Sequence, residues 1–290
     1  MATKTTDLPD IEELTAAVQG AFAGRKALWE SPAVVASSTM PFGGKALGKK
    51  VEIPYFNTIG EFEELPEGQA LTPVKISASA EEALVRRAGK AFAITDWAHY
   101  LGMRGDPYDE AGRQIVDGAF RHFDKVLLEA ASASLPAMTV DVYSATTPRT
   151  IDSDLILDGR AKWGDEADDP ASLMICHSKV ENDIRKLKDA TGRSLFVTPT
   201  EGRLGNVMGY PVAVSDRVVP TEDTPPKYTT GLLKRGALAL WYNGTPEVEY
   251  ARDVLAGADI IAVHVYFVVH RYLRLGPNST KSGTVLLKHN

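Results

Sequence analysis

Between residues 115 and 130 the apolar positions Ile115, Ala119, Phe123, Val126, Leu127 and Ala130 recur at i, i+4, i+8, i+11, i+12 and i+15. That is one face of a helix, with Arg113, Asp117, Asp124, Lys125 and Glu129 mostly turned away from it. The start is well marked. Asp106 is placed as N-cap and Pro107 at the first helical position, while Asp109 and Glu110 favour the positive end of the helix dipole. Pro136 ends the run, so one long amphipathic helix is predicted.

Upstream the text is extended. Lys49 to Phe56 and Leu71 to Ser77 read as two arms around an acidic tip, Glu61 to Gly68. Pro54 and Pro73 confine these arms to a sheet edge or a long ribbon, because proline lacks a ladder donor. A two-stranded ribbon is marginal alone in water, so one carrying Tyr55, Phe56, Ile59, Phe62 and Leu65 should rest against another surface, such as a second copy of the chain. Leu8 to Gly24, with Leu14, Val18 and Phe22 at steps of four, reads as a short acidic amphipathic arm.

Downstream a small α/β lobe is expected up to about Pro226. Val140 to Tyr143 resembles a strand entering it, Leu155 to Trp163 a helix, and Leu173 to Cys176 a buried strand. Ser178-Lys-Val-Glu181 has the form of a capping box opening a helix that Gly192 ends, and Met208 to Ser215 carries a short strand. After a polar link, Thr221 to Pro226, the segments Gly236 to Trp241, Glu247 to Arg252 and Ile260 to Tyr272 are strand-like and should return to the first lobe.

Composition narrows the function. The chain has 290 residues, room for one large or two modest domains, with 44% hydrophobic and 24% charged residues. Lys plus Arg is 32 against 38 for Asp plus Glu, a net charge of −6 that argues against duplex binding driven by counterion release. A single cysteine, Cys176, excludes an internal disulfide framework and suits a reducing cytoplasm. The polar, acidic stretch Met1 to Asp10 lacks the form of a secretory signal, and Ile260 to Val269, interrupted by His264, is too short for a bilayer helix.

Candidate chemistry dissolves on inspection. Cys176 and His177 are adjacent on a strand end and face opposite sides, which prevents a dyad. The histidines at 99, 122, 177, 264, 270 and 289 include no i, i+4 pair, and His264 and His270 would stand about 20 Å apart on one strand. Gly202, Gly205 and Gly209 miss the phosphate-loop spacings and read as turn glycines. Asp96 and His99 fit a helix start capped by Thr95 or Asp96, and Glu61, Glu63, Glu64 and Glu67 a solvated tip. No catalytic, cofactor or metal site is expected.

The order of these features resembles the major capsid protein of tailed bacteriophages, whose fold is shared with encapsulin nanocompartments. The carriers are the ribbon Lys49 to Ser79, the stretch Ala88 to Asp96 leading to the Asp106-Pro107 helix, and Met174-Ile-Cys-His177 before the helix Ser178 to Asp189. Gly209-Tyr-Pro-Val-Ala-Val-Ser-Asp-Arg217 and Val268-Val-His-Arg271 complete the set. The resemblance implies an α+β capsid fold with an N-terminal arm, an extended β-hairpin loop, a long spine helix, a peripheral domain and an α/β axial domain. Its implied divisions are 1–48 for the arm and the start of the peripheral domain, 49–82 for the extended loop, 83–139 for the peripheral domain with its spine helix, 140–226 for the axial domain and 227–290 for a return to the peripheral domain. Tyr55, Phe56, Ile59, Phe62 and Leu65 become inter-subunit contacts, and Ile115, Phe123, Val126 and Leu127 the core face of the spine helix.

The function so implied is structural and non-enzymatic, without cofactors: self-assembly through pentamers and hexamers into an icosahedral shell around phage DNA, located in the virion and assembled in the host bacterial cytoplasm. The implied partners are other copies, a scaffolding protein, a portal, decoration proteins and DNA held without sequence-specific contacts, and no membrane. Lys75 with Asn243 or Asn278 offers the residue types of an inter-subunit crosslink, but no motif maps them and none is expected. The competing readings are an encapsulin-type compartment, a small cytoplasmic enzyme using Asp96, His99 or Cys176, and a decoration or tail-tube protein.

Overall fold

A computed structural model describes residues 31–38, 50–57, 64–67, 70–100, 107–143, 149–168, 173–188, 191–197, 205–218, 220–223, 225–243, 247–274 and 281–290. The acidic arm Leu8 to Gly24, Asp106, Thr198 to Gly202 and Asn278 lie outside them, as do Ile59 and Phe62 of the ribbon tip.

Two sheets organise the described chain. The first has six strands in the order β1 (Val34–Ser37), β10 (Leu238–Tyr242), β12 (Ala258–Arg271), β3 (Ala78–Thr95) and β2 (Lys50–Phe56), with β11 (Glu247–Asp253) also paired to β12. The second has seven: β4 (Thr139–Asp141), β13 (Thr284–His289), β9 (Tyr228–Leu233), β5 (Leu173–Cys176), β8 (Tyr210–Val214), β7 (Gly205–Val207) and β6 (Phe196–Val197).

The extended ribbon exists, with different bounds from those expected. β2 pairs antiparallel with the first part of β3, from Lys50 opposite Leu84 to Phe56 opposite Ala78. Pro54 sits on this edge strand, where its missing N–H breaks no ladder on the solvent side. The returning arm Leu71 to Ser77 belongs to no strand, and the strand starts at Ala78. It then runs 18 residues without a break, well past residue 82, and its second part pairs with β12 from Val85 opposite Val268 to Thr95 opposite Ala258. Ribbon and sheet therefore share one strand.

The long helix α2 spans Pro107–Ser132, and a short helix α1, Asp96–Tyr100, precedes it. Phe123, Val126 and Leu127 are buried as expected, and Phe123 meets Phe267 of β12 edge-on with ring centroids 5.1 Å apart. Toward the N-terminus the buried row is displaced by one residue from the expected stripe: Val116 and Phe120 are buried, whereas Ile115 and Ala119 are half-buried and line a surface groove of about 570 Å³ against β3 and β12. Leu128 and Ala131 likewise take the place of half-buried Ala130. The inward series Val116, Phe120, Phe123, Leu127 and Ala131 keeps steps of four, three, four and four, close to the 3.6-residue period.

This helix face belongs to a core that also contains Leu238, Leu240, Ile261, Val265 and Phe267 of the first sheet and Leu173, Ile175 and Leu233 of the second. Arg217, in the loop after β8, lies 3.6 Å from Asp124 on α2. One helix thus unites both lobes.

The strand pairing corrects the expected return of 227–290 to the first lobe. β10, β11 and β12 do return, but β9 and β13 stay in the second sheet, where β13 pairs with β4 in parallel and β9 in antiparallel fashion, and β9 pairs with β5. Helix α3, Ser153–Ala161, starts from Asp152, whose carboxylate accepts the Leu155 N–H at 2.8 Å. Helix α4, Ser178–Arg185, is capped not by Ser178 but by His177, whose Nδ1 accepts the Lys179 N–H at 3.1 Å. Glu181 pairs with Arg185 at 2.6 Å instead of closing a capping box, and the helix ends well before Gly192. Met208 (φ 51°) and Gly209 (φ 90°) turn the β7–β8 hairpin, and the left-handed geometry favours glycine at the second position. Gly205 is not a turn glycine: it lies in β7, where a Cβ would come within 2.3 Å of the Phe196 ring.

Candidate assembly interface

The ribbon carries apolar side chains that stand exposed among the described residues. Phe56 is 64% exposed, and on the returning arm Leu71 is 74%, Val74 63% and Ile76 62% exposed. Leu65 is also exposed. Burying each such side chain contributes roughly 1.5–3 kcal/mol, so a partner that covers the set gains several times that amount. Tyr55 is half-buried, with the Arg274 guanidinium 5.5 Å above its ring. Leu71, Val74 and Ile76 were not among the expected contacts, although Val74 and Ile76 already stand two apart, the spacing of one strand face.

Asn57 closes the ribbon, with Nδ2 3.0 Å from both Ser77 Oγ and Ser79 Oγ and its N–H donating to the Ser77 carbonyl. A second apolar patch lies at the other end of β3. Trp97, Tyr100, Val254 and Leu255 are exposed there, with the Trp97 and Tyr100 rings stacked at 6.5 Å. Beneath it Arg252 bridges Asp96 at 2.7 Å and buried Asp259 at 2.6 Å, and the Tyr250 hydroxyl donates to Asp259 at 2.7 Å. The two carboxylates hold the guanidinium pKa above its ordinary value.

The groups considered for catalysis have structural partners. Asp96 opens α1 and is held by Arg252; the His99 side chain lies outside the described residues. Cys176 is fully buried at the end of β5, and burial pushes its thiol up to about 12, far from a reactive thiolate at neutral pH. His177 caps α4, His122 lies edge-on to Phe267 at 5.6 Å, and His264 lies 3.7 Å from Glu249. Among the described residues no three His, Cys, Asp or Glu side chains could hold a metal ion together, and no helix is long and apolar enough to cross a membrane.

Comparison with known proteins finds the same fold in phage capsids. The family model for phage capsid proteins matches residues 80–273. No curated protein matches the sequence. Among solved structures, the capsid of Ralstonia phage GP4 aligns at 12% identity, covering 91% of both chains, with a TM-score of 0.68. The capsid of a native GTA particle aligns at 14% identity, covering 91% of this chain and 92% of that one, with a TM-score of 0.61, and a structure from Microbacterium phage Oxtober96 at 11% identity, 88% of both chains and 0.59. The chain belongs to the phage capsid protein family. It is a structural major capsid protein, and its α+β fold is that of the phage capsids.

Proposed function

We propose that copies of this chain close into pentamers and hexamers of an icosahedral shell around a double-stranded phage genome, with each ribbon lying across a neighbouring subunit. The carrying observation is the exposed apolar series Phe56, Leu71, Val74 and Ile76 on an arm too thin to cover it. Identical contacts repeated head to tail generate rings where the rotation closes. The net charge of −6 suits a wall that holds DNA without sequence-specific contacts and without binding it tightly. A scaffolding protein, a portal and decoration proteins complete the expected partners, assembly takes place in the host cytoplasm, and the chain performs no catalysis.

Replacing Phe56, Leu71, Val74 and Ile76 together by serine tests this reading. The variant is expected to keep both sheets folded, by circular dichroism and a cooperative melt, and to form no closed particles in electron microscopy under conditions where the full chain does. Wild-type-like shells from that variant would overturn the ribbon contact. Particles of the full chain that carry an enzyme cargo in place of DNA would mark an encapsulin-type compartment.

A further inference from the structure

The ladder between β3 and β12 stops at Val85 opposite Val268, yet β3 continues to Ala78 paired with β2. Toward the ribbon from Val85, β3 exchanges its partner, leaving β12 for β2. A two-stranded ribbon is marginal by itself in water, so side chains at its root help to hold it. Part of the hold is apolar: Val51 and Ala83 pack with Ala239, Trp241 and Val268. Such contacts are strong but non-directional and tolerate sliding.

A directional contact stands beside them. Glu81 projects from the ribbon half of β3, opposite Ile53 of β2, and its carboxylate lies 2.6 Å from Nε2 of His270 on β12. Both side chains are only 9% exposed. The same carboxylate accepts the N–H of Leu273 at 3.4 Å, and the Tyr272 ring meets His270 edge-on at 5.1 Å. By contrast the neighbouring Lys50–Glu82 pair is more than half exposed, and solvent-screened pairs of that kind do little to fix geometry. A buried carboxylate stripped of its partner is costly, so the root is either joined or opened to water, with little in between.

We infer that Glu81 and His270 are positioning residues that set the angle at which the ribbon leaves the body, and with it the geometry in which a second copy is met. The link to the second copy rests on the ribbon contact proposed above; the lock itself does not. Nitroxide labels at Lys75→Cys on the ribbon arm and Asp158→Cys on α3 read the angle as a distance in the full-length, unassembled chain, because buried Cys176 escapes labelling. The parent is expected to give one narrow distance. Glu81→Ala and His270→Ala should broaden the distribution at least twofold, and Glu81→Gln, which keeps an acceptor without the charge, should broaden it by less. An unchanged width in Glu81→Ala, or in Glu81→Gln and His270→Ala where Glu81→Ala does not fold, overturns the lock. Particles assembled from Glu81→Gln should vary in diameter; a uniform wild-type diameter alongside a broadened distance would overturn the link to the neighbour while leaving the lock in place.

Discussion

Arg271, the last residue of β12, donates from Nη1 to the carbonyl of Ala133 at 2.7 Å, just past the C-terminus of α2. The last turn of a helix leaves carbonyls without helical partners and carries partial negative charge, so a guanidinium placed there satisfies both needs. Arg271 is half-buried, which lowers its pKa without stripping its proton. The strand that carries His270 toward the ribbon thus also fastens the helix.

Replacing that guanidinium by an apolar chain of similar length is expected to cost about 0.5–1.5 kcal/mol, the net contribution of a typical hydrogen bond. Urea denaturation of Arg271→Met against the parent measures it. No loss would show that water satisfies Ala133 equally well.

Phe123 is 1% exposed between β12 and the body of α2, and Phe123→Asp would place a carboxylate against Phe267. A lost aromatic core residue costs about 3–5 kcal/mol, and an unpaired buried charge adds to it. The variant is expected to be insoluble or to lack a cooperative melt, and a soluble, cooperatively melting variant would contradict the packing.

His289 is fully buried, with Nε2 2.9 Å from Thr230 Oγ1 and its ring stacked with Tyr228 at 6.2 Å. Burial holds its pKa below the ordinary histidine value. Between that ordinary value, about 6.5, and the lower folded value, the unfolded chain binds the proton and the folded chain does not. The contribution is therefore fully present above about pH 6.5 and is lost as pH falls through the window. Thermal melts from pH 8 to 5 should show a steeper acid decline in the parent than in His289→Gln; parallel curves would remove His289 as a cause.

Much of this was legible beforehand. The long helix announces itself because many residues repeat one period and proline marks its start, so Phe123, Val126 and Leu127 fall where expected. Ile115 was misplaced because it adjoins Val116, and two neighbouring apolar residues do not reveal which one faces inward. The extent of β3 was hidden by its composition: Ala-Glu-Glu-Ala-Leu-Val-Arg-Arg-Ala is poor in β-branched residues, and pairing with β12 overrides that preference. The placement of β9 and β13 depends on partners far away in the chain, which local pattern does not name. The Glu81–His270 contact spans 189 positions and left no local mark.

One consequence follows from β3 being a single strand. Eighteen residues at roughly 3.3 Å each make a tie about 60 Å long from Ala78 in the ribbon to the Trp97 patch, with no loop along it to absorb slack. Tension applied by a neighbour at one end is carried along covalent bonds to the other, so a wall woven from such subunits would resist internal pressure as a net of inextensible cords does.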